Sequence, residues 1–440
     1  MLRVRCAWSP SGDIHLGNIR TILFNHFFAR HEGGAFIWRV EDTNAEKAKP
    51  EMVDRARETF EWLGIDWDEG PYYQSQRGPY YAEVIERLLA SGSVYRCYCT
   101  KEDLARRNVT SGYDRFCRTR ADQPDAPFAL RFAVPERDVV IVDLLKGEIR
   151  RPFTDMQDFV VQRTDGSQPF ILANTADDIA MGITHVMRGE DLLPAAFQNA
   201  LLFDALGAPR PSFVHLPLML GPDRSRLGAR HGAVGTLSYR DAGYLPEALV
   251  NYLALLGWSP GTGEELMSRE RIVELFSLDG LQKSNAVFDV NKLNWMNQEY
   301  IKTLPAAELE SRILAIDDSI PRDILRQALE MQLLQTRITT LAQVRDDMKY
   351  LYERPAVKVE NADETLSLLA SKLGSLDPWS VDGVRDAVRS TIEELGLHRR
   401  KGPKPIFLAI SGSERALPLF ESIYIIGKDE AVTRLRAAIG

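Results

Sequence analysis

Residues 2–18 read LRVRCAWSPSGDIHLGN, an apolar-rich run followed by a turn and the start of a periodic segment. The run breaks at Ser9-Pro10-Ser11-Gly12, and residues 16–30 then carry apolar side chains at the spacing of one helix face. A strand, a turn and a helix in this order are typical of the opening of an α/β nucleotide-binding unit. Residues 35–40 are apolar and are predicted to form the second strand of that sheet.

The rest of the chain divides into a mixed first half and a helical second half. Alternating apolar and polar runs in residues 127–163 favour β structure, and residues 213–220 are a candidate buried strand. Near the end, Lys401-Gly402-Pro403-Lys404-Pro405 is the predicted linker. Helical periodicity predicts helices at residues 51–64, 81–91, 191–206, 246–257, 268–276, 305–316 and 321–348.

Length and composition indicate a folded protein of two to four domains, because 440 residues exceed the size of a single core. Hydrophobic residues make up 45% and charged residues 26%, which is ordinary for a folded chain. The net charge of -8 excludes a surface coated with basic residues, but local basic groups can still hold an RNA at short range. Residues 398–401 (HRRK) and Lys404 could meet phosphates in this way, or they could form a solvated charged loop.

The sequence shows neither a membrane span nor a signal peptide, and the expected cellular compartment follows from this. It contains no run of ~18 apolar residues, so we expect no membrane span and no membrane partner. The amino-terminal residues 1–13 are too polar for a signal peptide, and four cysteines in so long a chain do not suggest a disulfide framework. We therefore expect a cytoplasmic protein, and we expect it to be a monomer.

The turn at residues 9–18 lies where open α/β sheets bind ligands and where helix N-termini offer free N–H groups to phosphates. His15 would face a triphosphate there, and Gly17 would let a flat adenine ring approach the backbone closely. The alternative is an ordinary loop in which His15 only caps the helix. The turn by itself favours neither of these two interpretations.

Several motifs resemble those of the glutamyl-tRNA synthetases, which are class I aminoacyl-tRNA synthetases. Residues 5–12 (RCAWSPSG) and 15–18 (HLGN) are similar to the HIGH region of that family, although Trp8 stands where the family usually has proline. Further similar stretches follow in the family's order over essentially the whole chain. They are residues 36–43 (FIWRVEDT), Asp177-Asp178, residues 183–191 (ITHVMRGED), Phe288-Asp289, Leu293, Trp295-Met296-Asn297 and residues 409–413 (AISGS).

The resemblance implies a pocket for the amino acid. In it, Arg5 and Arg188 would make bidentate contacts to carboxylates, and Glu41 would pair with the α-ammonium group. The alternative is that these charges form structural ion pairs. Phe170 and Ile171 stand at the family's tyrosine and asparagine, and both changes remove hydrogen-bonding groups that discriminate between substrates. The pocket residues implied by the resemblance are Arg5, Ala7, Ser9, Glu41, Phe170 and Arg188.

The resemblance also implies an ATP site used with Mg²⁺, but the second ATP motif departs from the family pattern. Family members read like KLSKR before a histidine-glycine pair, whereas residues 226–232 read RLGARHG, so the catalytic lysine falls on Ala229. An alanine offers no cation to the pentavalent phosphate, and loss of such a donor typically costs ~10²–10³ in rate. Arg226 and Arg230 remain as partial substitutes. The implied ATP-binding residues are Ser11, Gly12, His15, Gly17, Asn18 and Leu227, and the implied catalytic residues are His15, Gly17, Arg226 and Arg230.

Three closely spaced cysteines suggest a metal site. The segments Cys97-Tyr98-Cys99 and 113–117 (YDRFC) resemble the zinc-binding insert of some glutamyl-type synthetases and of their shorter tRNA-modifying relatives. The resemblance implies Cys97, Cys99, Tyr113 and Cys117 as ligands of a structural Zn²⁺, which prefers four tetrahedral ligands. The alternative to a zinc site is that the three cysteines are buried or free thiols without a metal.

The fold implied by the resemblance is an α/β fold with a Rossmann-type parallel sheet, a zinc-binding insert and an all-helical anticodon-binding region. The predicted catalytic halves are residues 1–92 and 151–220, separated by an acceptor-stem-binding insert at residues 93–150. The loop of the second ATP motif and a helical stem-contact domain follow at residues 221–300, and the anticodon-binding domain at residues 301–440.

The implied function is that of a glutamate–tRNA ligase, with glutamate, ATP and tRNA as partners. The main alternative is a paralogue that binds tRNA or charged tRNA but adenylates weakly or not at all, and Ala229, Phe170 and Ile171 favour it. A third hypothesis is a transferase that places glutamate on a modified tRNA base. The helical second half counts against this hypothesis, because those relatives resemble only the catalytic domain.

Overall fold

The computed structural model describes residues 1–44, 46–110, 112–227, 235–414 and 416–440. Contacts divide the chain into two compact units. The first unit comprises Met1–Leu237 and Leu249–Asp289, and the second comprises Ser238–Ala248 and Val290–Gly440. No helix in the described residues is both long enough and apolar enough to span a bilayer.

All β-strands in the described residues belong to the first unit, and all except β12 lie in the first half of the chain, where they were predicted. They are β1 (Arg3–Trp8), β2 (Ala35–Val40), β3 (Glu69–Tyr73), β4 (Val94–Cys97), β5 (Ala129–Phe132), β6 (Val139–Asp143), β7 (Gly147–Arg151), β8 (Phe159–Gln162), β9 (His185–Gly189), β10 (Ser212–Leu216), β11 (Met219–Leu220) and β12 (Ala286–Val287).

Helices occupy both units and dominate the second. They are α1 (Leu16–His31), α2 (Pro50–Leu63), α3 (Gly78–Ala90), α4 (Lys101–Arg106), α5 (Phe170–Ala180), α6 (Leu193–Ala205), α7 (Leu237–Asp241), α8 (Pro246–Leu255), α9 (Arg269–Leu275), α10 (Val290–Thr303), α11 (Ala306–Ile316), α12 (Arg322–Glu330), α13 (Gln343–Tyr352), α14 (Asp363–Gly374), α15 (Val381–Glu394), α16 (Pro403–Ser411), α17 (Leu419–Ile426) and α18 (Lys428–Ala437).

Two sheets with parallel strands meet at β1. One sheet has the order β1-β2-β3, and the other has the order β7-β6-β10-β9, in which β6, β10 and β9 run parallel. The backbone N–H of Thr184, just before β9, donates to the carbonyl of Arg3 in β1 (2.9 Å), so β9 and β1 are neighbours. The strand order therefore reverses between β1 and β9, where open α/β sheets form their ligand crevice.

The core of the first unit forms because apolar helix faces cover these strands. All six residues of β2 are buried, as expected of a strand covered on both sides. In α5, Leu172 and Ala176 are fully buried and belong to the same apolar cluster as Phe213 of β10. The predicted helix at residues 51–64 is confirmed as α2, which has Pro50 in its first turn and ends at Gly64 in the left-handed conformation.

A third sheet, of order β4-β5-β8, is antiparallel and carries Cys97 at the end of β4. The hairpin of β6 and β7 falls within the predicted insert, yet it hydrogen-bonds to β10 of the second parallel sheet. The finer division of the chain into five segments remains a prediction.

The single strand predicted for residues 213–220 is wrong, because two short strands occupy this stretch. β10 ends at Leu216, and β11 begins at Met219 in a separate two-stranded sheet with β12. Pro217 lies between them, and a proline has no N–H with which to continue a ladder of backbone hydrogen bonds.

Two predictions for the helical half also need correction. The helix predicted at residues 321–348 is interrupted after α12, and Gln332 there adopts a left-handed backbone (φ 56°). The apolar periodicity hid this turn, because Leu334 and Ile338 of the connecting segment are fully buried as well. The linker predicted at residues 401–405 is in part the first turn of α16, since Pro403 occupies an initial position that tolerates proline.

Candidate active site

A cavity of about 400 Å³ lies at the carboxyl end of β1, where the chain turns into α1. This is the position at which a nucleotide-binding α/β unit is expected to hold its ligand. Most of the site residues predicted from the sequence line the cavity: Arg5, Ala7, His15, Gly17, Asn18, Glu41, Phe170, Arg188, Arg226 and Leu227.

Three predicted residues that the structure describes, Ser9, Ser11 and Gly12, are not among those that line it. Ser9 and Ser11 are exposed, and Gly12 has open space where a Cβ would be. Arg230 lies outside the described residues, as do Gly228 and Ala229 of the same motif. The roles predicted for all of these residues remain predictions.

His15 has two structural roles at once. Its ring accepts a hydrogen bond from the backbone N–H of Asn18 and so caps α1, and the same ring lines the cavity. Gly17 lies against the ring, because a Cβ on Gly17 would come within 3.1 Å of the His15 Cε1 atom. Loss of hydration lowers the pKa of His15; the charge of Arg226 acts in the same direction, and Asp191 opposes it.

The buried charges beside β1 form a network of ion pairs. Arg5 Nε donates to Asp178 (3.2 Å), and Arg39 Nη1 donates to the same carboxylate oxygen (2.7 Å). Glu41 Oε1 accepts hydrogen bonds from Arg39 (3.2 Å) and from the amide of Asn174 (2.7 Å). Burial raises the pKa of Asp178, but the two arginines lower it more, so this carboxylate is charged. Arg5 and Glu41 thus line the cavity and also make structural ion pairs.

Arg188 differs from Arg5 and Arg39, because the acceptors that hold it are uncharged. Its Nε donates to His215 Nε2 (3.2 Å), and its Nη2 donates to Asn199 Oδ1 (3.0 Å) and to the Leu192 carbonyl (3.2 Å). Its Nη1 is buried and has no hydrogen-bond partner in the described chain.

Burial lowers the pKa of Arg188 to about 10, and the charge of Arg5 acts in the same direction. At neutral pH the guanidinium therefore stays positively charged. A buried cation with an unused donor is costly unless an anion pairs with it. The wall of the cavity is thus suited to a carboxylate at Arg188.

The first turns of α5 supply another part of the wall. Phe170 begins the helix and lines the cavity, whereas Ile171 packs in the apolar core of the unit. Asn174 follows Phe170 by four residues, so it lies on the same face of the helix and also reaches the cavity. Its Oδ1 is buried and has no hydrogen-bond partner among the described residues.

The described residues of the second ATP motif, Arg226 and Leu227, form a further part of the cavity wall. Leu227 donates its backbone N–H to the Met219 carbonyl (2.9 Å), which ties the segment to β11. Arg226 forms an ion pair with Asp191 (3.0 Å), and both side chains line the cavity. Because this pair is largely exposed, its contribution to stability is small.

The three predicted cysteine ligands lie together in the insert. The sulfur atoms of Cys97, Cys99 and Cys117 are all within 4.8 Å of one another, and Tyr113 Oη lies 3.4 Å from Cys97 Sγ. Tetrahedral Zn–S bonds of ~2.3 Å place sulfur atoms roughly 3.8 Å apart, so the spacing suits zinc. Arg107 Nη2 donates to Cys99 Sγ (3.3 Å) and would offset part of the negative charge of a thiolate site.

Comparison with known protein families agrees with this geometry. Residues 1–295 match the catalytic domain of the "tRNA synthetases class I (E and Q)", where E and Q denote glutamate and glutamine. This chain belongs to that synthetase family. Residues 287–439 of the synthetase also match an anticodon binding domain.

Similar proteins cover the synthetase over its whole length. A glutamate–tRNA ligase of Geobacter sulfurreducens is 39% identical over 100% of this chain and 98% of its own length. A glutamate–tRNA ligase of Thermodesulfovibrio yellowstonii is 38% identical over 100% and 99% of the two chains. The crystal structure of a glutamate tRNA ligase from Elizabethkingia meningosepticum, in complex with its amino acid, superposes with a TM-score of 0.88 at 28% identity and covers 99% of both chains.

These comparisons confirm the predicted family and fold class of the synthetase. Sequence reasoning missed Asn174, which lines the cavity, and His215, which contacts Arg188 in the cavity wall, and it assigned no role to Asp191 although it included this residue in a motif. Asn174 could have been found from its four-residue spacing to Phe170, but no helix was predicted over these residues. His215 had no such signal, because it acts on Arg188 across neighbouring strands.

Proposed function

We propose that this synthetase is a glutamate–tRNA ligase, which activates glutamate with ATP and transfers it to tRNA. The Geobacter sulfurreducens and Thermodesulfovibrio yellowstonii relatives, which match it over nearly their whole length, carry this name. The structural observation that carries the proposal is Arg188, a buried cation in the cavity wall with its Nη1 unused. An acidic amino acid supplies the carboxylate that such a donor requires.

Glutamate is proposed to bind at the β1 end of the cavity. Arg188 receives one carboxylate of glutamate, and Arg5 receives the other beside its own partner Asp178. Glu41 pairs with the α-ammonium group, and Asn174 holds Glu41 in place (2.7 Å). Ala7, Ser9 and Phe170 complete the set predicted for the amino acid. Phe170 brings no hydroxyl, so recognition depends on the charged groups.

ATP is proposed to bind along the start of α1. An oxygen of the glutamate α-carboxylate attacks the α-phosphorus, and the bond from that phosphorus to pyrophosphate breaks, which gives glutamyl-adenylate. A terminal ribose hydroxyl of tRNA then attacks the activated carbonyl and releases AMP, so no protein nucleophile is needed. Bound Mg²⁺ would supply charge neutralisation at the phosphates. The residues proposed for ATP are Ser11, Gly12, His15, Gly17, Asn18 and Leu227, with Arg226 and Arg230 as the remaining cations of the altered motif.

The cysteine cluster is proposed to hold a structural zinc ion through Cys97, Cys99, Cys117 and Tyr113. The cluster lies at the end of β4 and beside the helix α4, away from the cavity residues of β1. A metal there would order the insert, because its ligands come from segments with little apolar core of their own.

The partner is proposed to be tRNA, bound in part by residues 287–439. In this region residues 398–401 and Lys404 are exposed, as contacts to phosphates require. The synthetase is further proposed to act as a cytoplasmic monomer.

The direct test is ATP–pyrophosphate exchange, run with glutamate and with aspartate or glutamine as controls, in the presence and absence of tRNA. Exchange that depends on glutamate supports the proposal. A rate at background under both conditions would reject an active ligase and leave the paralogue that binds tRNA without adenylation. Arg188→Ala should raise KM for glutamate by about 10- to 100-fold. Arg210→Ala removes a surface arginine paired with Asp204 and should leave KM unchanged.

A further inference from the structure

Three buried side chains on neighbouring strands form a hydrogen-bonded series. Asp143 ends β6, His215 lies in β10, and Arg188 lies in β9, where it is the register partner of His215. Asp143 Oδ2 lies 2.7 Å from His215 Nδ1, and Arg188 Nε lies 3.2 Å from His215 Nε2. The exposed fractions of the three residues are 1%, 0% and 5%, so water does not compete for these bonds.

The geometry determines which nitrogen of His215 carries the proton. Asp143 accepts hydrogen bonds from the backbone N–H groups of Leu145 and Lys146 (both 2.9 Å) and of His215 (3.0 Å), so it acts as a carboxylate. A carboxylate can only accept, and an arginine nitrogen can only donate. The proton must therefore sit on Nδ1, and Nε2 must present its lone pair to Arg188. Burial lowers the pKa of His215, which agrees with a neutral ring.

The arrangement contrasts with that of two other buried arginines of the unit, Arg5 and Arg39. Arg5 and Arg39 are paired directly with the carboxylate of Asp178 (3.2 and 2.7 Å), which offsets much of their charge. Arg188 is separated from the carboxylate of Asp143 by the neutral imidazole of His215. The imidazole fixes the guanidinium by a hydrogen bond and leaves its positive charge for a ligand.

On the basis of the proposed glutamate activation, we infer that Asp143 and His215 are positioning residues. They hold the Arg188 guanidinium so that Nη1 is presented to the substrate carboxylate, and they do so without pairing that cation with a protein anion. Asp143 acts through His215 by fixing its tautomer. Replacing such a carboxylate by an amide is known to favour the wrong tautomer of a histidine partner.

Two variants of His215 separate its two hydrogen bonds. His215→Asn retains a donor to Asp143 but is too short to reach Arg188, whereas His215→Gln retains an acceptor for Arg188. We expect His215→Asn to weaken binding of a non-hydrolysable sulfamoyl analogue of glutamyl-adenylate by about 10-fold, as loss of a hydrogen bond to a charged group does. The affinity of His215→Gln for the analogue should remain within about 3-fold of that of the unmutated protein. Both should bind ATP normally, as should His185→Asn, a control on β9 outside the cavity.

Asp143→Asn tests the tautomer itself. In ¹⁵N-histidine-labelled full-length protein, which contains seven histidines, we expect the His215 proton to move from Nδ1 to Nε2. Analogue binding should weaken about 10-fold at the same time, with KM for ATP unchanged. The inference would be overturned if His215→Asn and His215→Gln lost equal affinity for the analogue. Normal analogue binding by Asp143→Asn would overturn it as well.

The failure of the proposed function has a different signature. Unmutated protein that binds neither glutamate nor the analogue rejects glutamate activation. The tautomer of His215 in that protein would still be measurable, and a proton on Nε2 would overturn the arrangement inferred for Arg188. Thermal unfolding and ATP binding are measured for each variant, and these measurements show whether a variant has failed to fold.

Discussion

His15 accepts a hydrogen bond from the backbone N–H of Asn18 (3.4 Å), so the ring that lines the cavity also caps α1. The two interpretations of this histidine, as a catalytic residue and as a helix cap, are therefore compatible in the structure. Substitutions that preserve one role and remove the other can separate them.

His15→Asn should retain the cap, because asparagine is among the preferred residues at this position. We expect its free energy of unfolding to match that of the unmutated protein, whereas His15→Ala should lose about 1 kcal/mol. Both variants should lose ~10²–10³ in the exchange rate, since neither presents an imidazole to the phosphates. A normal exchange rate in His15→Asn would leave only the capping role.

The titration of His15 gives a second prediction. Its pKa in the folded protein lies below the ordinary value of 6.5, so the unfolded chain binds this proton first as the pH falls. The stability associated with neutral His15 is complete above pH 6.5 and is lost between 6.5 and the lowered folded-state pKa. The two unfolding free energies should thus match at pH 8, and that of the unmutated protein should fall below that of His15→Asn as the pH is lowered to 5. A difference that is constant over this range contradicts the lowered pKa.

Restoring a cation in the altered motif should raise adenylation. We expect Ala229→Lys to increase the ATP–pyrophosphate exchange rate, by up to ~10²–10³ if the rest of the site is competent. Ala229→Met is the matched control, because it has similar length and no charge. No gain with lysine would place the defect elsewhere, for example at Phe170, where the family's tyrosine is missing.

Elemental analysis tests the metal site. We expect one zinc ion per chain, retained in Cys6→Ala, because Cys6 lies in β1 rather than with the other three cysteines. Cys117→Ser should lose the zinc, and chelation of the unmutated protein should lower its unfolding temperature. Purified protein without zinc above background, or a Cys117→Ser variant that retains the metal, is inconsistent with the proposed ligands.

Many residues that line the cavity could be predicted because their motifs resemble those of the glutamyl-tRNA synthetases. Arg5 in β1 and Arg188 in β9 both reach the cavity, as the motifs around them suggested. The supporting residues could not be predicted in the same way. Asp143 and His215 are 72 positions apart and meet only because β6 and β10 pair. Such contacts leave no periodic pattern in the sequence.

Much of the fold could be predicted as well, because many of its helices have a local sequence pattern. Helices such as α1 and α2 have an apolar face or clear terminal residues, and their positions agree with the predictions. The break between α12 and α13 was missed because the connecting segment is as apolar as the helices beside it. Burial by tertiary packing, rather than helical periodicity, accounts for these apolar residues.

The most direct measurement is a crystal structure of the synthetase with glutamate or the sulfamoyl analogue of its adenylate. A substrate carboxylate oxygen should lie within about 3 Å of Arg188 Nη1, with the α-ammonium group beside Glu41. Glutamate bound outside this cavity, or an Arg188 guanidinium turned away from the ligand, would contradict the account.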